Sequence, residues 1–335
     1  MSTRQDSSRP RSSFFIVGAP RCGTTSLSKA LARHPDVCFS DPKETHFFVK
    51  DFDGRAVDIA LEYLDRFFPH RRQSHKTIGE GSVSYLYAPD AIQRVLTFDP
   101  NARFIAMVRN PVELVPSYHA RMLFTLDENE PDLSRAWALQ EERARGRQVP
   151  PKCRDPRLLL YGEVGRLGSH VGRLLELVPP ASCRVIVFDD LAQDPIGVYR
   201  KVLDFLQIRD DGRTEFPNKN SHRAFRHSFL QQFVTNPPSS IRKILRAESL
   251  HTWERRRWLM RAIRRRIKQR NTIKAERRAP DPAVLQMLRN HFRDDVARLS
   301  ALLRRDLGHW LATGSDATRE SASSSPARAR EQEAV

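Results

Sequence analysis

A short stretch near the start constrains this chain's fold more than any other. Residues 14–31 read F-F-I-V-G-A-P-R-C-G-T-T-S-L-S-K-A-L. The apolar run Phe14, Phe15, Ile16, Val17 has the length and content of a buried strand. Gly18 breaks it into a tight loop holding Pro20 and Gly23. Beyond the loop Leu27, Ala30 and Leu31 recur at helical spacing, with Thr24 or Thr25 placed to cap the helix start. A strand that feeds a helix through a glycine-bounded loop aims backbone N–H groups and a helix N-terminus at one spot. That spot favours an anion.

The spacing nearly matches the phosphate loop G-x-x-x-x-G-K-[ST], whose Lys reaches the β- and γ-phosphates of a nucleoside triphosphate. Here Thr24 stands where the Lys would be and Thr25 follows it. The cation sits inside the loop instead, at Arg21. A different anion suits such a loop better than a triphosphate. Cys22 has two readings there: a thiol whose pKa the helix N-terminus lowers, or a small residue filling a tight turn. The second is preferred.

With 335 residues, 39% of them apolar, the chain can bury one large α/β core, or one core with an appendage. No apolar run reaches the length of a membrane-spanning helix. Residues 1–13 are polar and Arg/Ser-rich, without the apolar segment of a secretory signal, and are expected to form a disordered leader. Cys22, Cys38, Cys153 and Cys183 lack metal spacing and mark no oxidising compartment, so the expected location is cytoplasmic. Residues 313–335, rich in Ser, Ala, Arg and Glu, are expected to be a disordered tail.

The net charge of +17 is unevenly spread. Residues 241–280 carry 15 Lys or Arg against three acidic residues, with Trp253 and Trp258 among the arginines. This basic helical segment has two readings. It binds a polyanion, whether nucleic acid, membrane or substrate, or it is an amphipathic helix with solvated arginines.

Strand and helix patterns alternate along the rest of the chain. Helices are expected over 56–68, 89–96, from Pro111 through Met122, over Tyr161–Leu177, over Pro195–Leu206 and from Asp281. Strands are expected at 77–81, at 103–108 and at 184–188, the last two as buried runs. The polar, Pro-rich stretch 127–157 reads as an excursion over the active face. The alternation implies an α/β fold: a P-loop-like parallel sheet flanked by helices, as a single domain over 14–312 with a helical C-terminal part.

Three further segments carry candidate chemistry. In Pro42-Lys43-Glu44-Thr45-His46-Phe47-Phe48 the two rings are expected to anchor the segment, leaving Glu44 and His46 to face a cleft or solvent. Glu80 lies between Gly79 and Gly81, either as a site residue or as a solvated residue at a strand-end turn. Arg109 closes the strand 103–108, and Ser117 follows about two turns into the next helix. In a parallel sheet ligands collect at such strand ends.

Together these segments resemble the sulfotransferase family that uses 3′-phosphoadenosine 5′-phosphosulfate (PAPS), nearest its heparan-sulfate-type and bacterial branches. Gly18 to Thr25 is similar to the family's 5′-phosphosulfate loop, and Arg103 to Tyr118 to its 3′-phosphate segment. Residues 43–48 resemble the E-x-H-F-F element that carries a base in some members. Residues 80–85 resemble E-K-T-P-x-Y, with Gly81 in place of the Lys. Phe188 to Leu206 and Leu302 to Trp310 are also like family elements. The loop 216–223 does not plainly reproduce the family's glycine-rich segment.

The resemblance implies transfer of a sulfonate from PAPS to a hydroxyl or amine of a carbohydrate or small-molecule acceptor, polyanionic acceptors included, in line and without a metal. Arg21 would stabilise charge on the bridging and leaving oxygens. Cys22, Gly23, Thr24 and Thr25 would line the 5′-phosphate, and Arg109 and Ser117 would hold the 3′-phosphate. Glu44 is the preferred general base, with Glu80 and His46 as alternatives. Neither a specific nucleic-acid partner nor a membrane span is expected. The rival readings are a P-loop kinase or NTPase, which would need the missing Lys, and a polyanion- or nucleic-acid-binding protein.

Overall fold

A computed structural model describes residues 12–49, 59–88, 90–216, 223–225, 272–274 and 280–312. Residues 1–11 of the leader, the tail, the loop 217–222 and the basic block apart from 272–274 and 280 lie outside these residues; Ser13, expected in the disordered leader, is instead the buried first residue of the first strand.

In chain order the first elements are β1 (Ser13–Gly18), α1 (Thr24–Leu31), β2 (Val37–Phe39), α2 (Ile59–Phe67) and β3 (Thr77–Glu80). Next come α3 (Ala91–Phe98), β4 (Arg103–Val108), α4 (Pro111–Thr125), α5 (Leu133–Ala138) and α6 (Gln140–Ala144). They are followed by α7 (Tyr161–Gly165), α8 (Leu167–Leu177), β5 (Cys183–Val187), α9 (Phe188–Gln193) and α10 (Pro195–Leu206). β6 (Arg223–Phe225), β7 (Thr272–Lys274) and α11 (Pro282–Leu303) complete the set. The described residues fall into two compact units. The first takes those within Met1–Tyr118, Leu160–Asn218 and Pro282–Val335, the second those within His119–Leu159 and Lys219–Asp281.

The first unit holds a five-stranded parallel sheet in the order β2-β3-β1-β4-β5, as the alternating pattern implies. β1 is central and wholly buried, with Phe15 opposite Glu80 on β3 and opposite Phe104 on β4. On one face Phe15, Phe47, Phe48, Tyr63, Phe67 and Tyr85 form an aromatic core. The Tyr63 ring lies 5.0 Å from Phe47 and 4.9 Å from Phe48. Each such ring contributes roughly 1.5–3 kcal/mol on burial, which anchors the segment before them.

Three expectations need correction in this unit. β5 is not a buried strand but a sheet edge: Arg184 is exposed, and its guanidinium lies 5.6 Å from the Phe205 ring centroid. Phe188, expected to end the strand, instead opens α9, with Asp189, Asp190 and Leu191 following in the helix. The helix expected over Tyr161–Leu177 is broken at Arg166 into α7 and α8. The break exposes the N-terminus of α8 to Asp295 of α11, whose carboxylate accepts from the amides of Gly168 at 2.7 Å and Ser169 at 2.9 Å. α10 starts as its sequence dictates, with Pro195 in the first turn and the Asp194 carboxylate accepting from Gly197 N–H at 2.8 Å.

In the second unit, the stretch 127–157 is ordered by charge rather than by apolar burial. Arg143 and Glu128, both fully buried, form a two-pronged ion pair with both bonds at 2.7 Å. Removing one partner of such a pair costs about 3–5 kcal/mol. Thr272–Lys274, expected within a helical basic segment, instead pairs antiparallel with β6. The β-branched Thr272 and Ile273 favour the extended backbone.

Candidate active site

Three parallel strands, β1, β3 and β4, end along the same edge of the sheet, and the candidate residues follow those ends. The loop after β1 is shaped by close approach. A side chain on Gly18 would stand 3.0 Å from Met107 of β4, and the next amide, Ala19, donates to Met107 O at 3.1 Å. Arg21 (φ 69°) and Gly23 (φ 84°) both take the left-handed conformation. A side chain on Gly23 would also come within 2.7 Å of Leu191, so glycine is required there on two counts.

Gly23 is itself the N-cap of α1, with no side-chain cap bond, which corrects the expected cap at Thr24 or Thr25. Its carbonyl takes the amides of Ser26 and Leu27 at 3.0 and 3.2 Å. Amides ahead of that first bonded one lack an intrahelical partner in any helix, and the helix dipole adds positive charge at that end. Thr24 is buried and Thr25 half-buried beside them.

The two arginines form one cluster. Arg21 Nε donates to Ser117 Oγ at 2.9 Å. Arg109 Nη1 donates to the Arg21 carbonyl at 3.2 Å, and Nη2 to Glu113 at 2.5 Å. The Arg109 guanidinium lies 4.5 Å from the Phe188 ring centroid, and its side chain is only 14% exposed. Its Nε is buried without a hydrogen-bond partner. A buried, unsatisfied donor on a cation, beside a helix N-terminus, fits an anionic ligand.

Cys22 is fully buried, and its thiol donates to Pro20 O at 3.6 Å. Burial pushes the thiol well above its ordinary pKa, outweighing the opposing pull of Arg109 and Arg21. The lowered-pKa reading of Cys22 is therefore overturned. Its side chain fills the turn.

The segment after β2 places Glu44 and His46 as its rings dictate. Phe47 and Phe48 are buried, while the Glu44 side chain is 41% exposed. Glu44 Oε1 accepts from Lys43 Nζ at 2.9 Å, and Glu44 Oε2 lies 3.8 Å from His46 Nε2. His46 is held in the left-handed region (φ 51°) by two bonds: its amide donates to Ser82 Oγ at 3.0 Å and its Nδ1 lies 2.7 Å from Ser84 Oγ. Left-handed strain of roughly 1–3 kcal/mol is less than the burial of the two adjacent rings contributes.

Glu80 departs most from expectation. It is neither solvated nor loosely mounted; it is the last residue of β3 and 1% exposed. Its carboxylate accepts from the hydroxyls of Tyr63, Ser82, Thr45 (2.9 Å) and Tyr85 (3.1 Å). Burial raises its pKa against the opposing pull of those hydroxyls. Glu80 is thus the buried hub that fixes Thr45 and Ser82, which in turn hold the Glu44–His46 segment. The flanking glycines hid this, because every donor but Ser82 lies elsewhere in the chain.

The C-terminal turn, legible only as a likeness, braces the same edge. Trp310 Nε1 donates to Asp189 Oδ2 at 2.8 Å, Arg305 Nη1 donates to Asp190 Oδ2 at 2.6 Å, and Asn110 Nδ2 donates to the Trp310 carbonyl at 3.1 Å. Asn110 and Lys43 are the residues at this edge whose placement nothing local in the sequence signals. Among the described residues, no helix is long and apolar enough to cross a membrane.

Known proteins agree with this architecture. The family model described as "Sulfotransferase domain" matches residues 11–277. The human bifunctional heparan sulfate N-deacetylase/N-sulfotransferase 3 is 24% identical over 230 residues, 66% of this chain and 25% of that protein. The mouse heparan sulfate glucosamine 3-O-sulfotransferase 6 is 28% identical over 195 residues, 58% of this chain and 52% of the relative. The chain thus spans between a quarter and about half the length of these two relatives. A solved sulfotransferase from Alicyclobacillus acidocaldarius superposes with a TM-score of 0.60 at 28% identity, covering 91% of this chain and 99% of that one. The parallel sheet, the glycine-bounded loop without a Walker Lys and the family match converge: this chain belongs to the sulfotransferase domain family.

Proposed function

We propose that the sulfonate donor is PAPS and that the acceptor is a hydroxyl or amine of a carbohydrate or small molecule, with Glu44 as the general base. The observation that carries this reading is the linked pair of arginines. Arg109, with a buried unpartnered Nε, supports the carbonyl of Arg21, whose side chain reaches Ser117. A nucleotide with separate 5′ and 3′ anions has a use for both cations, and for the α1 amides between them. Arg21 and the amides of Gly23, Thr24 and Thr25 hold the 5′ side, while Arg109 and Ser117 hold the 3′-phosphate. PAPS supplies an activated sulfonate when bound. The protein positions it, offsets developing charge and receives the acceptor's proton. Glu44 suits that last role because its backbone is pinned by Phe47 and Phe48 while its carboxylate stays open to an acceptor. The names of the relatives, heparan sulfate and glucosamine among them, favour a carbohydrate acceptor.

Calorimetry with 3′,5′-ADP and 5′-AMP, with and without Mg²⁺, tests the donor. The expected result is much tighter binding of 3′,5′-ADP, independent of Mg²⁺. Equal affinity for the two nucleotides would remove the 3′-phosphate role from Arg109 and Ser117. Transfer of labelled sulfate from PAPS across a panel of sugars, amines and phenols then identifies the acceptor class.

A further inference from the structure

Lys43 has no part in the reading above, yet its side chain follows a defined path. Its carbonyl accepts from the Gly81 amide at 3.2 Å and from Ser40 Oγ at 3.1 Å, which fixes its backbone on both sides. From there the stem crosses the bare face of Gly81. A Cβ at position 81 would stand 3.0 Å from Lys43 Cε and 2.9 Å from Ser28 Oγ. Glycine at 81 is what leaves room for the stem. The ammonium ends 2.9 Å from Glu44 Oε1 and 3.4 Å from Thr24 Oγ1, with the side chain 22% exposed. An ion pair with Glu44 alone would not need the reach to Thr24. Ser28, one turn along α1 from Thr24, presents a buried hydroxyl without a hydrogen-bond partner towards the same glycine face.

We infer that Lys43 is a catalytic residue of the transfer: its ammonium donates to the sulfonate oxygens while the group moves. The inference rests on PAPS as donor and Glu44 as base. In the step, the acceptor oxygen or nitrogen forms a bond to sulfur. The bond from sulfur to the 5′-phosphate oxygen breaks, and its electron pair stays on that oxygen in 3′,5′-ADP. The acceptor's proton goes to the Glu44 carboxylate. Lys43 touches Glu44, where the proton arrives, and Thr24, beside which the leaving phosphate is held, so it spans the gap the sulfonate crosses. It also supplies the cation that position 24 lacks, from a neighbouring segment instead of from the loop.

The test compares Lys43→Gln, which keeps the first part of the stem over Gly81 without the charge, with Lys43→Arg, which keeps the charge. Calorimetry measures affinity for PAPS and for 3′,5′-ADP, which has no sulfonate; labelled-sulfate transfer gives kcat; thermal melting checks the fold. Lys43→Gln is expected to lower kcat by about 10²–10³-fold, the usual cost of one lost donor to developing charge. It should weaken PAPS by about tenfold, as one charged hydrogen bond would. Affinity for 3′,5′-ADP and the melting temperature should not change. Lys43→Arg should be at least ten times as active as Lys43→Gln. Wild-type kcat in Lys43→Gln, or equal weakening of PAPS and 3′,5′-ADP, overturns the role of Lys43 and leaves the donor reading intact. A wild-type protein that neither binds 3′,5′-ADP nor transfers sulfate from PAPS overturns the donor reading, and the role of Lys43 with it.

Discussion

Arg21 Nε donates to Ser117 Oγ at 2.9 Å, so the anion loop after β1 and the second turn of α4 act as one structure across 96 residues of sequence. Binding at one half of the nucleotide site should therefore feel the other. Ser117→Ala is expected to weaken 3′,5′-ADP roughly tenfold, since the bond lost involves a charged donor. In a cycle with Arg21→Ala the two effects should be non-additive, with a coupling of about 0.5–3 kcal/mol. Calorimetry of the four proteins checks this, and strictly additive losses would mean that the two residues bind independently.

Arg109 divides its donors between the Arg21 carbonyl and Glu113, the latter on an exposed helix face. An exposed partner contributes little, on the order of 0–1 kcal/mol, but it competes with an incoming phosphate for the same guanidinium. Glu113→Gln should tighten 3′,5′-ADP by roughly two- to fivefold at low salt, and by less as salt screens the pair. Arg109→Lys should lose more than tenfold, because an ammonium gives up both the fork and the planar stacking over Phe188. Titrations at two salt concentrations separate these effects. Weaker binding in Glu113→Gln would show that Glu113 orients Arg109 instead of competing for it.

The parts legible in the sequence are those set by local pattern. β4 and α10 have the bounds the sequence implies, because an uninterrupted apolar run and an Asp-Pro start signal them directly. The loop 18–23 was legible because glycines at fixed spacing before a helix have few uses. Illegible features depend on residues brought together from afar. The burial of Glu80 requires Tyr63, Tyr85 and Thr45, none of which is beside it in sequence. The break at Arg166 is understood only once Asp295 is seen capping α8 from 127 residues away. The path of Lys43 needs a glycine on another strand end, so absence of a side chain was the signal and no motif records it.

Glu80 also carries a pH dependence. Burial raises its pKa in the folded protein above the ordinary 4.5, so the native state holds the proton more tightly than the unfolded chain. The stability this group contributes is fully present below about pH 4.5 and is lost as pH rises through the folded value. Glu80→Gln removes the titration while keeping a side chain of the same shape. Urea unfolding at pH 5 and pH 8 should therefore show the wild type losing stability relative to Glu80→Gln as pH rises. A difference that stays constant, or grows with pH, would mean that the four hydroxyl donors outweigh burial.

Cys22 lies inside the anion loop, where a reactive thiol would be easy to imagine. Its full burial and raised pKa argue for an inert one. Iodoacetamide at pH 8 should leave Cys22 unmodified in the folded protein and modify it in urea, read by mass spectrometry of the peptide. Cys22→Ser should keep 3′,5′-ADP affinity within about threefold, because the side chain of residue 22 is buried against Pro20 and only packs the turn. Rapid alkylation of the native protein would return Cys22 to the list of reactive groups.

The base remains the finest test, because Glu44 and His46 lie 3.8 Å apart and either could receive a proton first. Their mounts differ. His46 Nδ1 is engaged by Ser84 Oγ, and its amide by Ser82 Oγ, itself a donor to Glu80, so ring and strained backbone are both held from behind. Glu44 has two carboxylate oxygens, one facing Lys43 and one facing His46, on a side chain open to an acceptor. That arrangement suits a carboxylate that takes the proton and an imidazole that orients it. Glu44→Gln should then lower kcat by about 10²–10⁴-fold, the range for general-base assistance, with 3′,5′-ADP affinity unchanged. His46→Asn should lower kcat less, because the carboxylate that receives the proton is still in place. If Glu44→Gln keeps most of its activity while His46→Asn abolishes it, the imidazole is the base and the carboxylate its support.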